Sequence, residues 1–432
     1  MVQTSPEIMT AVEALDYRVT VADVAAKSGL ALPLAQQGIL ALAADTQAHL
    51  QVAESGDVAY EFPRNFRAVL RNKYWQLRWQ ETWAKIWQVL FYLIRLSFGV
   101  VLLASIAIIF IAIFVLMMAA SSQQGDRDDR GGYGRGPNFW ISPSWFYWLD
   151  FGSTRRRRQQ RSQQWSQGGS KSELNFFEAI FSFLFGDGDP NGDLEDRRWS
   201  AIATLIRNNK GTLTAEQVVP YLDDVNLKDD LEDFMLPVLS RFNGYPQVSP
   251  QGDLVYAFPE LQVTAASYRP RSIPSYLREV RRRFSVASSD QLMLAAGLGG
   301  LNFVGAVILG SMLSGSQVAT EFIVFVQSIY WFLWGYGAAF LGVPLGRYLW
   351  LQRQNGKIET RNQQRQALTR LVEAEDPTVQ RKLSYAQTLA TEVVLRKDEA
   401  IYTTETDLID QDIQQKDRLD AEWRERLGTK DS

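Results

Sequence analysis

Three long stretches of this chain carry almost no polar side chain, and they divide an otherwise amphipathic sequence. Leu96 to Ala120 holds no charged residue, and two further apolar runs cover 292–313 and 322–346. Each reaches the roughly 20 residues that a helix needs to cross a bilayer, so about three transmembrane helices are expected. The last two are joined by the short connection Ser314 to Glu321 and predict a helical hairpin. Gly300, Gly305, Gly310, Gly335 and Gly337 recur along it, small residues that let helix backbones approach closely. Before the first run, Trp83, Trp87 and Tyr92 with Arg95 read as an interfacial collar with a snorkelling cation. Pro344 is expected to bend the end of the third span.

Outside the spans the pattern changes to that of small soluble domains. Val52-Ala-Glu-Ser-Gly-Asp-Val-Ala-Tyr-Glu-Phe-Pro63 recurs as Val248-Ser-Pro-Gln-Gly-Asp-Leu-Val-Tyr-Ala-Phe-Pro259. In each copy Gly-Asp (Gly56 and Asp57, Gly252 and Asp253) supplies a turn, and an aromatic pair (Tyr60 and Phe62, Tyr256 and Phe258) alternates on one strand face, with Val58 and Leu254 leading it. Upstream, Thr20-Val-Ala-Asp23 and Thr214-Ala-Glu-Gln217 each read as a helix start with a capping box. In the first copy Gly29 ends that helix and another follows, with Leu34, Ile39 and Leu42 expected on one face. Three helices and a hairpin make the winged-helix plan. The expected fold class is mostly α with small β-hairpins: two winged-helix-like modules, about three transmembrane helices and a helical C-terminal tail.

The expected organisation follows. Residues 1–66 form the first module, 67–120 an amphipathic lead-in and first span, 121–195 an interfacial linker and 196–262 the second module. Residues 263–350 hold the membrane hairpin and 351–432 the tail, where Pro377 separates two helical stretches bearing Leu368, Leu371 and Val372, then Leu383, Ala386 and Leu389.

Charge argues against the commonest use of a winged helix. A DNA reader needs cations on its groove helix and wing. The third helix of the first module, Pro33 to Asp45, has none, and residues 1–63 carry only Arg18 and Lys27 against eight carboxylates. The second module clusters Asp223, Asp224, Asp229, Asp230, Glu232 and Asp233. Nucleic acid is therefore not an expected partner. With no Cys and a single histidine, His49, placed at the start of the first hairpin, the chain offers no Cys-ligated metal and no His-rich site. No cofactor is expected, and no catalytic motif is found. Asp187-Gly-Asp-Pro-Asn-Gly-Asp starts like a calcium loop, which makes Asp187, Asp189 and Asn191 weak metal candidates, but Arg198 stands where the bidentate glutamate belongs. A turn and helix cap is the preferred role. In the linker, the aromatic stretch Phe139 to Trp148 and the cluster Arg155, Arg156, Arg157 and Arg158 suit a membrane surface with anionic lipid; RNA binding by stacking is the sharper alternative.

The positive-inside rule sets Arg281-Arg-Arg283 and Arg347, Arg353 and Lys357 on the cytoplasmic side of the hairpin, and Arg64, Arg67, Arg71, Lys73 and Arg78 ask for the same side. Three simple spans do not satisfy both. Either the first apolar stretch enters and returns, or one cluster is misplaced, or Phe176 to Phe185 adds membrane. Both modules are expected on the cytoplasmic or stromal face.

The two hairpins, the order of spans and above all Asn175-Phe-Phe-Glu-Ala-Ile-Phe-Ser-Phe-Leu-Phe-Gly-Asp-Gly-Asp-Pro-Asn191 resemble a family of integral membrane proteins shared by cyanobacteria and plant chloroplasts. Its plant members often carry the label "iron-sulfur cluster biosynthesis family protein". The resemblance implies a thylakoid protein and an auxiliary factor in photosystem assembly. The expected function is a non-enzymatic scaffold or assembly factor whose partners are the membrane, anionic lipid and proteins such as photosystem subunits or assembly intermediates. A membrane-tethered transcriptional regulator is the alternative. An auxiliary role in iron–sulfur cluster biogenesis, with ligands from a partner, is the second. The absence of a transit peptide in Met1 to Thr10 fits a cyanobacterial member.

Overall fold

The computed structural model describes residues 5–73, 75–122, 176–223, 232–315, 320–373, 377–397, 400–407, 409–411, 413, 416 and 423–424. Most of these are helical, with small sheets between. Contacts gather them into two compact units, one from Met1–Trp87, Gly188–Arg282 and Gln352–Ser432, the other from Gln88–Asp187 and Arg283–Leu351.

The first unit begins with α1 (Pro6–Ala14), β1 (Arg18–Val19), α2 (Val21–Ser28), α3 (Leu32–Thr46), β2 (His49–Ala53) and β3 (Val58–Glu61), followed by α4 (Phe66–Lys73) and the start of α5 (Trp75–Ser122). Thr20 caps α2 as its sequence implies: Asp23 N–H donates to Thr20 Oγ1 (3.1 Å) and Thr20 N–H to Asp23 Oδ2 (2.9 Å). Gly29 ends α2 with φ +71°, a left-handed position that suits glycine. On α3 the buried stripe is Leu32, Ala35, Ile39, Leu42 and Ala43. Leu34, expected beside Ile39 and Leu42, is instead exposed. Five residues from Ile39 is about 140° around a helix, so the i, i+3, i+7 positions take the core.

A second run of the same unit repeats that order: α7 (Leu194–Asn208), β4 (Thr212–Leu213), α8 (Ala215–Val218), α9 (Leu236–Phe242), β5 (Tyr245–Val248) and β6 (Leu254–Ala257), where α6 (Phe176–Phe185) belongs to the other unit. In both runs the first short strand pairs with the last, giving β1-β3-β2 and β4-β6-β5. The strand β7 (Val263–Thr264) follows.

The tail departs from the expected helical form. After α10 (Ser289–Gly315) and α11 (Glu321–Glu373), α12 (Pro377–Leu389) lies on β4 and β6. The chain then turns extended: β8 (Val393–Val394) pairs in parallel with β7, and β9 (Ala400–Thr403) adds to the free edge of β2, Val52 facing Tyr402. Ala-Ile-Tyr-Thr suits a strand, and the unpaired donors of β2 provide its partner. The far face of β3 is covered as well, since Ala59 packs with Ala265 and Leu395.

Among the described residues three helices are long and apolar enough to cross a membrane, Lys85–Ala120 of α5, Ser289–Gly315 and Glu321–Arg370 of α11, and the second unit is built from parts of them. α5 is one continuous helix, so its apolar stretch does not enter and return. α11 continues through Pro344, which does not end it. Leu102 shares a cluster with Leu298 and Phe340, while Leu116 shares one with Leu309 and Ile323. α10 therefore runs parallel to α5 and α11 antiparallel. The ten-residue α6 packs beside the first part of the span, with the Phe181 ring 5.9 Å from those of Phe91 and Phe98. It is too short to cross.

Candidate functional site

The two hairpins adopt the same geometry position by position. Val52 faces Val58 and Val248 faces Leu254. Gly56 and Gly252 take φ +85° and +89° in the turns. Ala53 N–H donates to Asp57 O (3.0 Å) and Ser249 N–H to Asp253 O (2.8 Å). At the strand exits, Phe62 N–H donates to Tyr17 O and Phe258 N–H to Gly211 O, both at 2.8 Å. Tyr60, Phe62, Tyr256 and Phe258 are all buried, as alternation requires. The side chains then diverge. Asp57 accepts from the neighbouring Ser55 hydroxyl (2.7 Å), whereas Asp253 is held by Arg381 of α12, which keeps its carboxyl below the ordinary range. Burial raises the Tyr60 and Tyr256 hydroxyls, and Tyr256 donates to Glu232 (2.7 Å). His49 is exposed at the edge of β2.

The two runs share one core. Ala22, Ala25 and Ala26 of α2, with Leu32 and Ala35 of α3, pack into Ile202, Ala203, Ile206 and Phe242. Small side chains on α2 allow that approach: a Cβ on Gly29 would lie 2.8 Å from Ser200 N. Arg241, stacked 4.5 Å above Trp199, donates to the Gly29 carbonyl at 3.0 and 2.6 Å. At the centre is Asp23. Besides its cap, its carboxylate accepts from Thr264 Oγ1 (3.0 Å) and Ala265 N–H (2.9 Å) and pairs with Arg207 (2.7 Å), both partners buried. One capping residue thus joins three segments. Nothing in its sequence context announces the second task.

A further seam fixes the extended segment 277–282. Glu279 N–H donates to Asn362 Oδ1 (2.9 Å) while Asn362 Nδ2 donates to the Glu279 carbonyl (2.8 Å). Asn355 makes the same two bonds with Arg282 (2.8 and 2.9 Å), and Asn191 with Val280 (both 2.8 Å). Three asparagines thereby satisfy a stretch of backbone that has no strand partner. Beside them Arg365 pairs with Asp223 and, at 3.0 Å, with Glu279, Arg361 joins Glu279 (2.5 Å) and Arg198 joins Asp223. Burial alone would raise both carboxyls; the bonds and charges of these arginines outweigh it and hold Asp223 and Glu279 low.

The metal candidates are occupied by protein donors. Asp187, in the second unit, accepts from the Ser182 hydroxyl (2.7 Å) and Val286 N–H (2.8 Å). In the first unit Asp189 accepts from Asn191 N–H (3.0 Å) and pairs with Arg282 (2.5 Å). Among the described residues no group of three or more His, Asp or Glu side chains is placed to hold a metal.

In the second unit, Arg347 donates to the Ser182 carbonyl (3.1 Å) near the C-terminus of α6, a favourable end for a cation, and to Phe284 O. Arg95 stacks on Phe91 and Phe181 at 5.0 and 5.3 Å. Ser105 donates to the buried Asn302 (2.8 Å), tying α5 to α10. Of the expected packing glycines, Gly305, Gly310 and Gly337 do meet neighbours; a Cβ on Gly337 would lie 3.1 Å from Phe303 Cα. Gly300 and Gly335 face open space, while Gly299, not singled out by sequence, lies against Phe340. Each helix is apolar all round, so composition does not set which face turns inward. Arg155, Arg156, Arg157, Arg158 and the aromatic stretch Phe139 to Trp148 lie outside the described residues.

No family model matches the chain. No solved structure matches it either. It is 34% identical over 436 residues, 96% of this chain and 82% of the other, to an Arabidopsis thaliana protein described as "Uncharacterized protein At5g03900, chloroplastic". Similarity at that level across nearly the whole chain means that the chain belongs to the family of this chloroplast protein.

Proposed function

We propose that the protein is a non-enzymatic scaffold or assembly factor of the thylakoid membrane, acting through protein contacts in photosystem biogenesis. Each soluble run is a winged-helix-like module, and the pair descends from a duplication. The observation that carries the reading is the outward face of the third helices. α3 has no cation and exposes Leu34 (56%) and Leu40 (45%). α9 exposes Leu236 (60%) and turns its one cation, Arg241, into the seam at Gly29. Those helices offer apolar contact, where a DNA reader would offer positive charge. A membrane-tethered regulator has no support from that face, and an iron–sulfur role would need ligands supplied by a partner. The chloroplastic relative supports a chloroplast setting for the family, with which a thylakoid location is compatible.

The first unit draws on chain before Gln88, between Asp187 and Arg283, and after Leu351. One compact body built from all three supports a single membrane face for them, and the basic residues flanking the spans assign that face to the cytoplasm or stroma. The experiment is affinity purification from gently solubilised native membranes, with mass spectrometry and a nucleic-acid stain, of the tagged protein and its Leu34→Glu, Leu40→Glu variant. Photosystem subunits or assembly intermediates recovered with the former and lost with the latter are expected. Recovery of specific DNA, or of cluster-assembly proteins alone, overturns the reading.

A further inference from the structure

Within the first unit, a cavity of about 240 Å³ opens where α2, α7 and the segment after β7 meet. Residues 1–63 contain two cations in all, Arg18 and Lys27, and both line this cavity. Arg207, Arg269 and Arg271 line it from the other side. Five cations thus converge in a body whose modules are otherwise acidic, and Asp23 is the one carboxylate among the lining residues. Asp23 is already matched by Arg207 at 2.7 Å and by its bonds to Thr20, Thr264 and Ala265. Arg18 is anchored by Gln51 at 2.9–3.0 Å and by the Leu395 carbonyl at 2.8 Å. The remaining three, Lys27, Arg269 and Arg271, are exposed and make no ion pair among the described residues. Outside the lining, Glu392 accepts the Tyr268 N–H (2.9 Å). Arg207 stacks on the Tyr268 ring at 4.4 Å, which adds to its fixed position.

Converging cations around a concave site, some fixed and some free to close, suit an oxyanion with several acceptor atoms. The volume falls below the roughly 300 Å³ at which drug-sized pockets begin, which limits the occupant to a small group. We infer that this cavity between the two modules binds a phosphate group, with Lys27, Arg269 and Arg271 as its direct donors and Arg18 and Arg207 as fixed positive charge. A soluble phosphate ester and the phosphate of an anionic lipid headgroup share that chemistry.

The test uses the full chain in a neutral maltoside detergent. Inorganic phosphate, glycerol 3-phosphate and short-chain phosphatidylglycerol in mixed micelles are titrated by calorimetry, with phosphatidylcholine as the uncharged control. Saturable binding of at least one phosphate probe is expected. The Lys27→Gln, Arg269→Gln, Arg271→Gln variant should weaken it by about tenfold or more, since each removes a charge-assisted bond. Glycerol 3-phosphate binding on its own identifies a soluble ligand; phosphatidylglycerol binding alone identifies lipid. The melting temperature of each variant checks folding, and Arg269→Gln alone, at an exposed side chain, serves if the triple variant melts early. Absence of saturable binding to all three probes, or binding unchanged in the folded variants, overturns the inference.

Discussion

The first and second modules have the same element order and turn geometry, yet the tail completes them in different ways. The first receives a strand: β9 lies along β2 and donates main-chain bonds. The second receives a helix: α12 sets Arg381 on Asp253, and Lys382 on Glu216 (2.7 Å) and Glu232 (3.1 Å). Equal backbones therefore do not imply equal surfaces. The part of a hairpin set by local chemistry is the turn and its inward aromatic residues; what covers the outside is set by side chains at its edge.

The sharpest way to break the comparison is to remove what joins the modules. Asp23→Ala leaves Arg207 buried without its partner and should cost about 3–5 kcal/mol, read as a lower urea midpoint of the detergent-solubilised chain. A midpoint within error of the parent would show that the seam does not hold the modules. Gly29→Ala comes next. Its φ of +71° and the backbone of Ser200 at 2.8 Å combine strain with overlap, so about 2–3 kcal/mol is expected. Gly56→Ala and Gly252→Ala share the left-handed strain and have open space around them. Each should cost about 1 kcal/mol and by equal amounts; unequal losses would mean that the matching turns carry different loads.

Acid separates the modules by their tails. Asp223 and Glu279 sit below their ordinary values of 3.8 and 4.5, because the arginine bonds outweigh the opposing effect of burial. The native state thus binds fewer protons than the unfolded one, so their contribution is complete above those values. It is lost as the pH falls through the lowered native ones. Hydrogen exchange at 277–282 and along α11 should rise in acid before exchange at β2 and β9, and Arg365→Gln should flatten that dependence. Smallest of all, Arg381→Ala removes a pair whose arginine is half-exposed and should barely move the urea midpoint, with the β5–β6 hairpin more mobile by hydrogen exchange and β2–β3 unaffected.

Much of this is written locally in the chain. Gly-Asp turns, alternating aromatic residues, the Thr20 and Asp23 cap and the uncharged spans each determine their own conformation. Other features depend on distant chain. Leu34 requires knowing the inward stripe of α3, and Asn355 and Asn362, seven apart on a polar helix, resemble a solvated face until the 277–282 backbone lies against them. β9 has too few residues to declare itself before β2 is seen. Of the cavity cations, Arg18 and Lys27 were visible as rare charges in an acidic stretch. Their convergence with Arg269 and Arg271 was not.

The pairing of β9 also imposes a timetable. Leu50 N–H donates to the Thr404 hydroxyl (2.8 Å) across 354 residues of chain. At ribosomal rates of about 5–20 residues per second, the edge of β2 waits roughly 20–70 s after synthesis for its neighbour, while three long hydrophobic helices emerge. The nascent protein must keep an unfinished sheet from pairing with other chains throughout that interval. A truncation that removes β9 would thus be felt first at β2, some 350 residues earlier in the chain.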